Sequence, residues 1–152
     1  MNRGNRQRRS MQWVALIAST VGMACSEPFT PPPPVTLEAV AGRYQLERVG
    51  KNTLPAYGPV ICFLVGCGTP YFVTAGSLEI AGSTFTLTTS TRDANAPFTE
   101  WTGTRSGTIS VDARGQLELR EEDLFVNVWS GEIEKDLVTV HIFAPYTFRR
   151  EK

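Results

Sequence analysis

The side chains of this 152-residue chain that could do chemistry are three thiols, a few carboxylates in close pairs and a single imidazole. Two of the thiols, Cys62 and Cys67, enclose only Phe63-Leu64-Val65-Gly66. In an oxidising compartment an even pair so placed favours a disulfide. Its short loop is worth only about 2 kcal/mol of chain entropy. Free thiols are one alternative and a metal site the other. Two thiols and one remote histidine form a poor ligand set, so no metal and no cofactor are assigned. His141 is the only histidine and alternates with Val140 and Ile142, as a strand histidine turned to solvent would. A general base needs a nucleophile beside it, and none can be placed. Glu132 and Glu134 share a face and are the residue types for acid–base work on a sugar. Flanking Gly131 and Lys135 nevertheless favour a surface hairpin. Glu121-Glu122-Asp123 reads as a solvated turn rather than a cation site. The glycines are spaced as turns and build no phosphate loop. No catalytic residue is assigned, and the expectation is a non-enzyme.

The third thiol, Cys25, stands at a boundary. Arg3, Arg6, Arg8 and Arg9 open the chain with no acidic residue, and twelve largely apolar residues follow, Trp13 to Ala24. A basic start, a short apolar run and a small residue before the cut describe a secretory signal peptide. The run is too short to cross a bilayer, which takes about 20 residues. Arg8-Arg9 is followed by Ser10-Met11-Gln12-Trp13, a poor match to a twin-arginine signal. Residues Val21-Gly22-Met23-Ala24-Cys25 resemble the bacterial lipobox. That resemblance implies cleavage after Ala24 and acylation of Cys25, with palmitate-type chains holding the protein to the membrane. Ordinary secretion, which the small residues Gly22 and Ala24 also permit, is the alternative. The address implied is the bacterial cell envelope. Ser26 after the cysteine resembles lipoproteins sent to the outer membrane where there are two.

Domain boundaries follow from this: residues 1–24 as signal peptide, 25–36 as a lipid-attached linker and 37–150 as the folded domain. The linker holds Pro31-Pro32-Pro33-Pro34 and favours polyproline II, extending about 3.1 Å per residue. A ligand for a proline-recognition module is the competing use. From Cys25 onward there are eleven Lys and Arg side chains against fifteen Asp and Glu, a net charge of −4. A mildly acidic domain excludes nucleic acid as the expected partner, since that needs clustered cations. It likewise argues against docking on anionic lipid through the domain itself.

The elements that must position these residues read as strands. Tyr44 and Leu46 alternate with Gln45 and Glu47; Leu78 and Ile80 lead to the Gly82-Ser83 turn; Phe85 and Leu87 alternate with threonines. Ile109 and Val111, Leu117 and Leu119, Val138 to Ile142, and Tyr146 and Phe148 repeat the pattern. Val60 to Val65 and Leu124 to Trp129 are apolar on both faces and predict strands that are covered from both sides or form an interface. Short connections favour antiparallel neighbours. The fold class expected is all-β, an up-and-down meander of about 8 strands closed into a small barrel, with a β-sandwich as the alternative.

Gly42-Arg43-Tyr44, Leu54-Pro55, Gly76-Ser77-Leu78 and Tyr146-Thr147-Phe148-Arg149-Arg150 together resemble small bacterial lipocalin-like lipoproteins. In lipocalins Gly-x-Trp starts the barrel, and an arginine of the last strand packs across that tryptophan to close one end. The matching positions are Gly42, Tyr44 in place of the tryptophan, and Arg149 or Arg150. The resemblance implies a barrel, either filled or with a lumen for one small ligand.

Most aromatic side chains of such a domain are needed for its core. Trp101 is the exception, lying in the polar stretch Phe98-Thr99-Glu100-Trp101-Thr102-Gly103, where a barrel mouth would suit it. Two functions are expected: a barrel that binds a small apolar or amphipathic ligand, or a filled barrel that contacts another envelope protein.

Overall fold

The computed structural model describes residues 33–152 except 61, 64, 65, 97, 98 and 123–126. The segment expected to be a signal peptide (residues 1–24), Cys25 and most of the expected linker lie outside the described residues. The chain enters through a short helix, α1 (Leu37–Val40), capped by Thr36, whose Oγ1 accepts from Ala39 N at 3.3 Å.

Twelve strands follow among the described residues. They are β1 (Gly42–Val49), β2 (Asn52–Thr53), β3 (Ala56–Tyr57), β4 (Cys62–Phe63), β5 (Gly66–Cys67) and β6 (Tyr71–Ala81). Then come β7 (Thr84–Asp93), β8 (Glu100–Val111), β9 (Gln116–Glu121), β10 (Val128–Glu134), β11 (Leu137–His141) and β12 (Pro145–Arg150). Strand β1 pairs with β12 on one side and β6 on the other, so β1 and β6 to β12 form a closed, antiparallel, eight-stranded barrel in sequential order. Closure satisfies the edges that an open meander would leave bare. The all-β barrel expectation holds and the sandwich does not. Strands β2 and β3 add to β1 and β6 at one end, and β4–β5 is a separate hairpin.

Antiparallel order sorts the connections into two poles. The starts of β1, β7, β9 and β11 and the end of β12 share one pole. The opposite pole gathers β2 to β5, the β7–β8 and β9–β10 connections, and the β11–β12 turn. At the first pole the inward column is apolar: Tyr44, Ile80, Phe85, Ile109, Leu117, Val138 and Phe148 are all buried. Helix α1 covers this pole, with Val40 buried, the Tyr44 hydroxyl donating to Val40 O at 2.6 Å and the Arg150 Nη2 donating to Ala39 O at 3.0 Å and to Ala41 O. This end is packed shut.

Two register shifts bend the wall near the other pole, between Leu46 and Arg48 in β1 and between Val73 and Ala75 in β6. Each extra residue reverses the alternation, so Val49 faces inward beyond Leu46, and Val73 and Tyr71 face inward beyond Gly76. The expected doubly apolar strand over 60–65 is corrected. Cys62–Phe63 is half of a two-residue hairpin outside the barrel, and Val60 is exposed. Of the strand expected over Leu124–Trp129, residues 124–126 lie outside the described residues; β10 includes Val128, whose side chain is exposed, and Trp129, which is buried.

Candidate functional site

The inward faces of β7 and β8 change character halfway along the barrel. On β7 they run Phe85, Leu87, Thr89, Thr91; on β8 they run Ile109, Gly107, Arg105, Gly103, Trp101. The first members of each column are core. The rest line a pocket of about 390 Å³ at the open pole. Register places Thr91 beside Trp101 at the rim, Thr89 beside Gly103 below it, and Leu87 beside Arg105 deepest. At about 3.4 Å per residue, the deepest pair lies roughly 14 Å down the strands from the rim pair. Tyr146, on β12, lines the wall across from β8, Tyr71 lines the adjoining wall on β6 next to β7, and Ile142 and Phe143 close the lining from the β11–β12 turn.

Above Gly107, β8 pairs with β7 alone among the described residues, because β9 ends where Glu121 meets Gly107. A side chain at 107 is excluded: a Cβ there would stand 2.0 Å from Arg120 O. This close approach lets β9 deliver Glu121 next to Arg105. The Arg105 Nη1 donates to both Glu121 carboxylate oxygens at 3.3 Å, and Asn127 Nδ2 donates to Glu121 Oε2 at 2.7 Å. The guanidinium also lies 5.5 Å from the centroid of the Trp129 ring. Glu121 is therefore not in a solvated turn, as its sequence neighbours suggest. It is the last residue of β9 and is buried beneath Arg105, which remains about half exposed. A buried carboxylate needs such a partner to offset its lost hydration.

Tyr146 is buried on the pocket wall. Burial, and then the neighbouring Tyr71 side chain, push its hydroxyl well above the ordinary phenol range, so it stays a neutral donor. Tyr44, at the packed pole, is raised too, chiefly by burial.

Trp101 is placed on a strand at the rim of this pocket, with its side chain about half exposed. The terminal arginines separate. Arg150 lies over the Tyr44 ring at 5.5 Å, and a Cβ on Gly42 would come within 3.2 Å of its Nε. Arg149 points outward and pairs with Glu47, whose carboxyl it holds below the usual carboxylate range. Cys62 and Cys67 are joined as a disulfide across the β4–β5 hairpin. His141, Glu132 and Glu134 are exposed on the outer face, so none reaches the pocket. Among the described residues no three His, Cys, Asp or Glu side chains are grouped to hold a metal ion.

Arg105, Glu121, Tyr71 and Tyr146 escaped the sequence reading. Arg105 sits among Thr, Ser and Gly in a stretch without apolar alternation, and nothing local pairs it with a carboxylate sixteen positions away. Tyr146 was visible as a strand aromatic but its pocket role depends on Tyr71, beyond the β6 bulge.

The open pole also concentrates exposed apolar surface. Among the described residues the exposed large hydrophobic side chains are Tyr57, Val60, Trp101, Val128 and Phe143, and all lie there. Tyr57 stacks on Phe72 with centroids 4.3 Å apart, and Arg92 lies 5.8 Å over the Phe72 ring. Phe143 takes a left-handed backbone, φ 73°, in the β11–β12 turn, a strained conformation for an aromatic residue. Comparison with family models, with curated proteins and with solved structures finds no match to this chain.

Proposed function

We propose that this domain is a non-enzymatic carrier or sensor that takes one small amphipathic molecule into the cup at its open pole. The observation that carries this is the half-filled barrel. One half is a packed core, while the other is a cavity of about 390 Å³ walled by both aromatic rings and polar groups. That volume is at the small end of ligand sites, which typically run about 300–1,000 Å³. The polar groups are few and fixed, as orientation of a ligand requires. The lipocalin-like resemblance supports the same reading, as does the lipobox-like segment, which would tether the domain to the cell envelope through acylated Cys25.

Native mass spectrometry of the full chain, purified from a bacterial host in mild detergent, tests the cup. Co-purifying small molecules, displaced by a fluorescent apolar probe, are expected. A protein that carries nothing and rejects the probe overturns the reading. Metabolic labelling with a fatty acid tests the anchor: label is expected on the wild type and not on Cys25→Ala.

The gathering of exposed apolar side chains at one pole favours a second reading, contact with another envelope protein through the rim. Exposed apolar patches on soluble domains mark interaction sites as readily as ligand entrances. A rim variant that abolishes protein capture while leaving probe uptake intact would support it.

A further inference from the structure

We infer that the cup takes a carboxylate amphiphile head first, with Arg105 at the deep end binding the acid group. The inference rests on the cup being a binding site. Arg105 is the cation among the pocket-lining residues and sits in the deepest pair of the β7–β8 wall. Its Nη1 is committed to Glu121, whereas Nε and Nη2 have no hydrogen-bond partner among the described residues. Those two atoms form the side-on fork of the guanidinium, which matches the two oxygens of a planar carboxylate. A lysine in this place would offer no such fork.

Glu121 does not cancel the site. Its oxygens are occupied by Arg105 and Asn127, and it is buried behind the guanidinium, so a ligand in the cup meets the cation first. The Trp129 ring under the guanidinium and the Glu121 contact fix the fork's orientation before a ligand arrives. The Tyr146 hydroxyl on the wall across from β8, kept protonated by burial, gives a further donor without adding negative charge. At the rim the large rings of Trp101 and Phe143, beside the small Thr91, stand where an alkyl tail would leave the cup. Polar depth and a rim of large rings invert the arrangement of a simple greasy calyx, and they set the ligand's direction.

The test uses the full chain carrying Trp13→Phe, with decanoate, decanol and their brominated forms as probes. Decanoate is expected to bind at least about tenfold tighter than decanol, the scale of one charge-assisted contact. The double variant Arg105→Gln with Glu121→Gln leaves no unpaired buried carboxylate, its fold is checked by circular dichroism, and it should bind both probes at the decanol level. Decanoate brominated beside the carboxyl should quench Trp129 emission, read in Trp101→Phe. Decanoate brominated at the tail end should quench Trp101, read in Trp129→Phe. Equal affinity for decanoate and decanol in the wild type overturns the inference while the cup survives. Reversed quenching overturns the head-first orientation. Failure to bind either probe overturns the cup itself.

Discussion

Arg149 and Arg150 are neighbours on one strand, identical in type and opposite in consequence, and truncating each in turn tests how the packed pole is held. Arg150 Nη2 donates to Ala39 O and Ala41 O at the end of α1, and its guanidinium caps the Tyr44 ring at 5.5 Å. Charge-assisted bonds to carbonyls contribute about 1.5–3 kcal/mol when shielded, and this pair is partly solvated, so about 2 kcal/mol is the working figure. The stacked ring adds about 0.5–1 kcal/mol. Arg150→Ala should therefore cost about 3 kcal/mol. Arg149 faces solvent and holds only Glu47, a solvent-screened pair of the kind that contributes little to stability. At about 4 °C per kcal/mol for a domain of this size, the melting temperature should fall by roughly 12 °C for Arg150→Ala and by clearly less for Arg149→Ala. Circular dichroism melts and urea titrations of both variants measure this, with an unchanged urea slope excluding a shift in the unfolded state. Hydrogen exchange should also accelerate at Val40 and Ala41 in the Arg150 variant alone. Equal losses for the two variants, or a larger loss for Arg149→Ala, would refute the assignment of pole closure to Arg150.

Two further predictions concern the wall and the pocket. Gly107→Ala should cost about 3 kcal/mol or more in urea denaturation, because the new Cβ meets the backbone of Arg120 at 2.0 Å rather than a yielding side chain, whereas Gly103→Ala, with nothing within 4 Å, should stay within about 0.5 kcal/mol. Tyr146 binds its proton more tightly when folded than unfolded, so its contribution is intact below the ordinary phenol pKa of about 10 and is lost as pH rises beyond it. The melting temperature should accordingly drop above about pH 10, and less steeply in Tyr146→Phe; an identical alkaline slope in that variant would contradict the raised hydroxyl.

The barrel was legible in the sequence wherever alternation was uninterrupted. Leu78 and Ile80, Phe85 and Leu87, Leu117 and Leu119, and Val138 and Val140 all face the core as their period of two requires. Legibility failed at the two register shifts, because a bulge reverses which residues point inward and leaves no local mark. Hence Val49, Val73 and Tyr71 could not be placed by extending the pattern of their neighbours. It failed again between Val60 and Val65, where a run of apolar residues looks like a covered strand, but Val60 is exposed and Cys62 and Phe63 belong to a disulfide-closed hairpin. Glu121 shows the same limit in charge: beside Glu122 and Asp123 it reads as one of a solvated trio, and only the β8–β9 register reveals Arg105 beside it. Trp101 was legible as an outlier, since a large ring without apolar alternation has to be explained by something other than the core.

One signal of the cup was present in the sequence all the same. Along β7 the inward positions run Phe85, Leu87, Thr89, Thr91, while the outward ones are Thr84, Thr86, Thr88 and Ser90 throughout. The alternation fades at Thr89, and the packed core ends at the same level, because threonine can neither fill the lumen nor leave it wholly dry. If the cavity exists because these two positions are small and polar, filling them should exchange binding for stability. Thr89→Leu with Thr91→Leu extends the apolar column toward the rim. Each added leucine buries further apolar surface at about 25 cal/mol per Å², roughly 1 kcal/mol apiece in a half-open site. The double variant should melt several degrees higher than the wild type and lose uptake of decanol and decanoate together. A gain in stability with uptake retained would mean that the ligand sits elsewhere on the molecule. Loss of uptake without a gain in stability would mean that the leucines clash rather than pack, and that the cup's shape is set by the Tyr71 and Tyr146 walls instead.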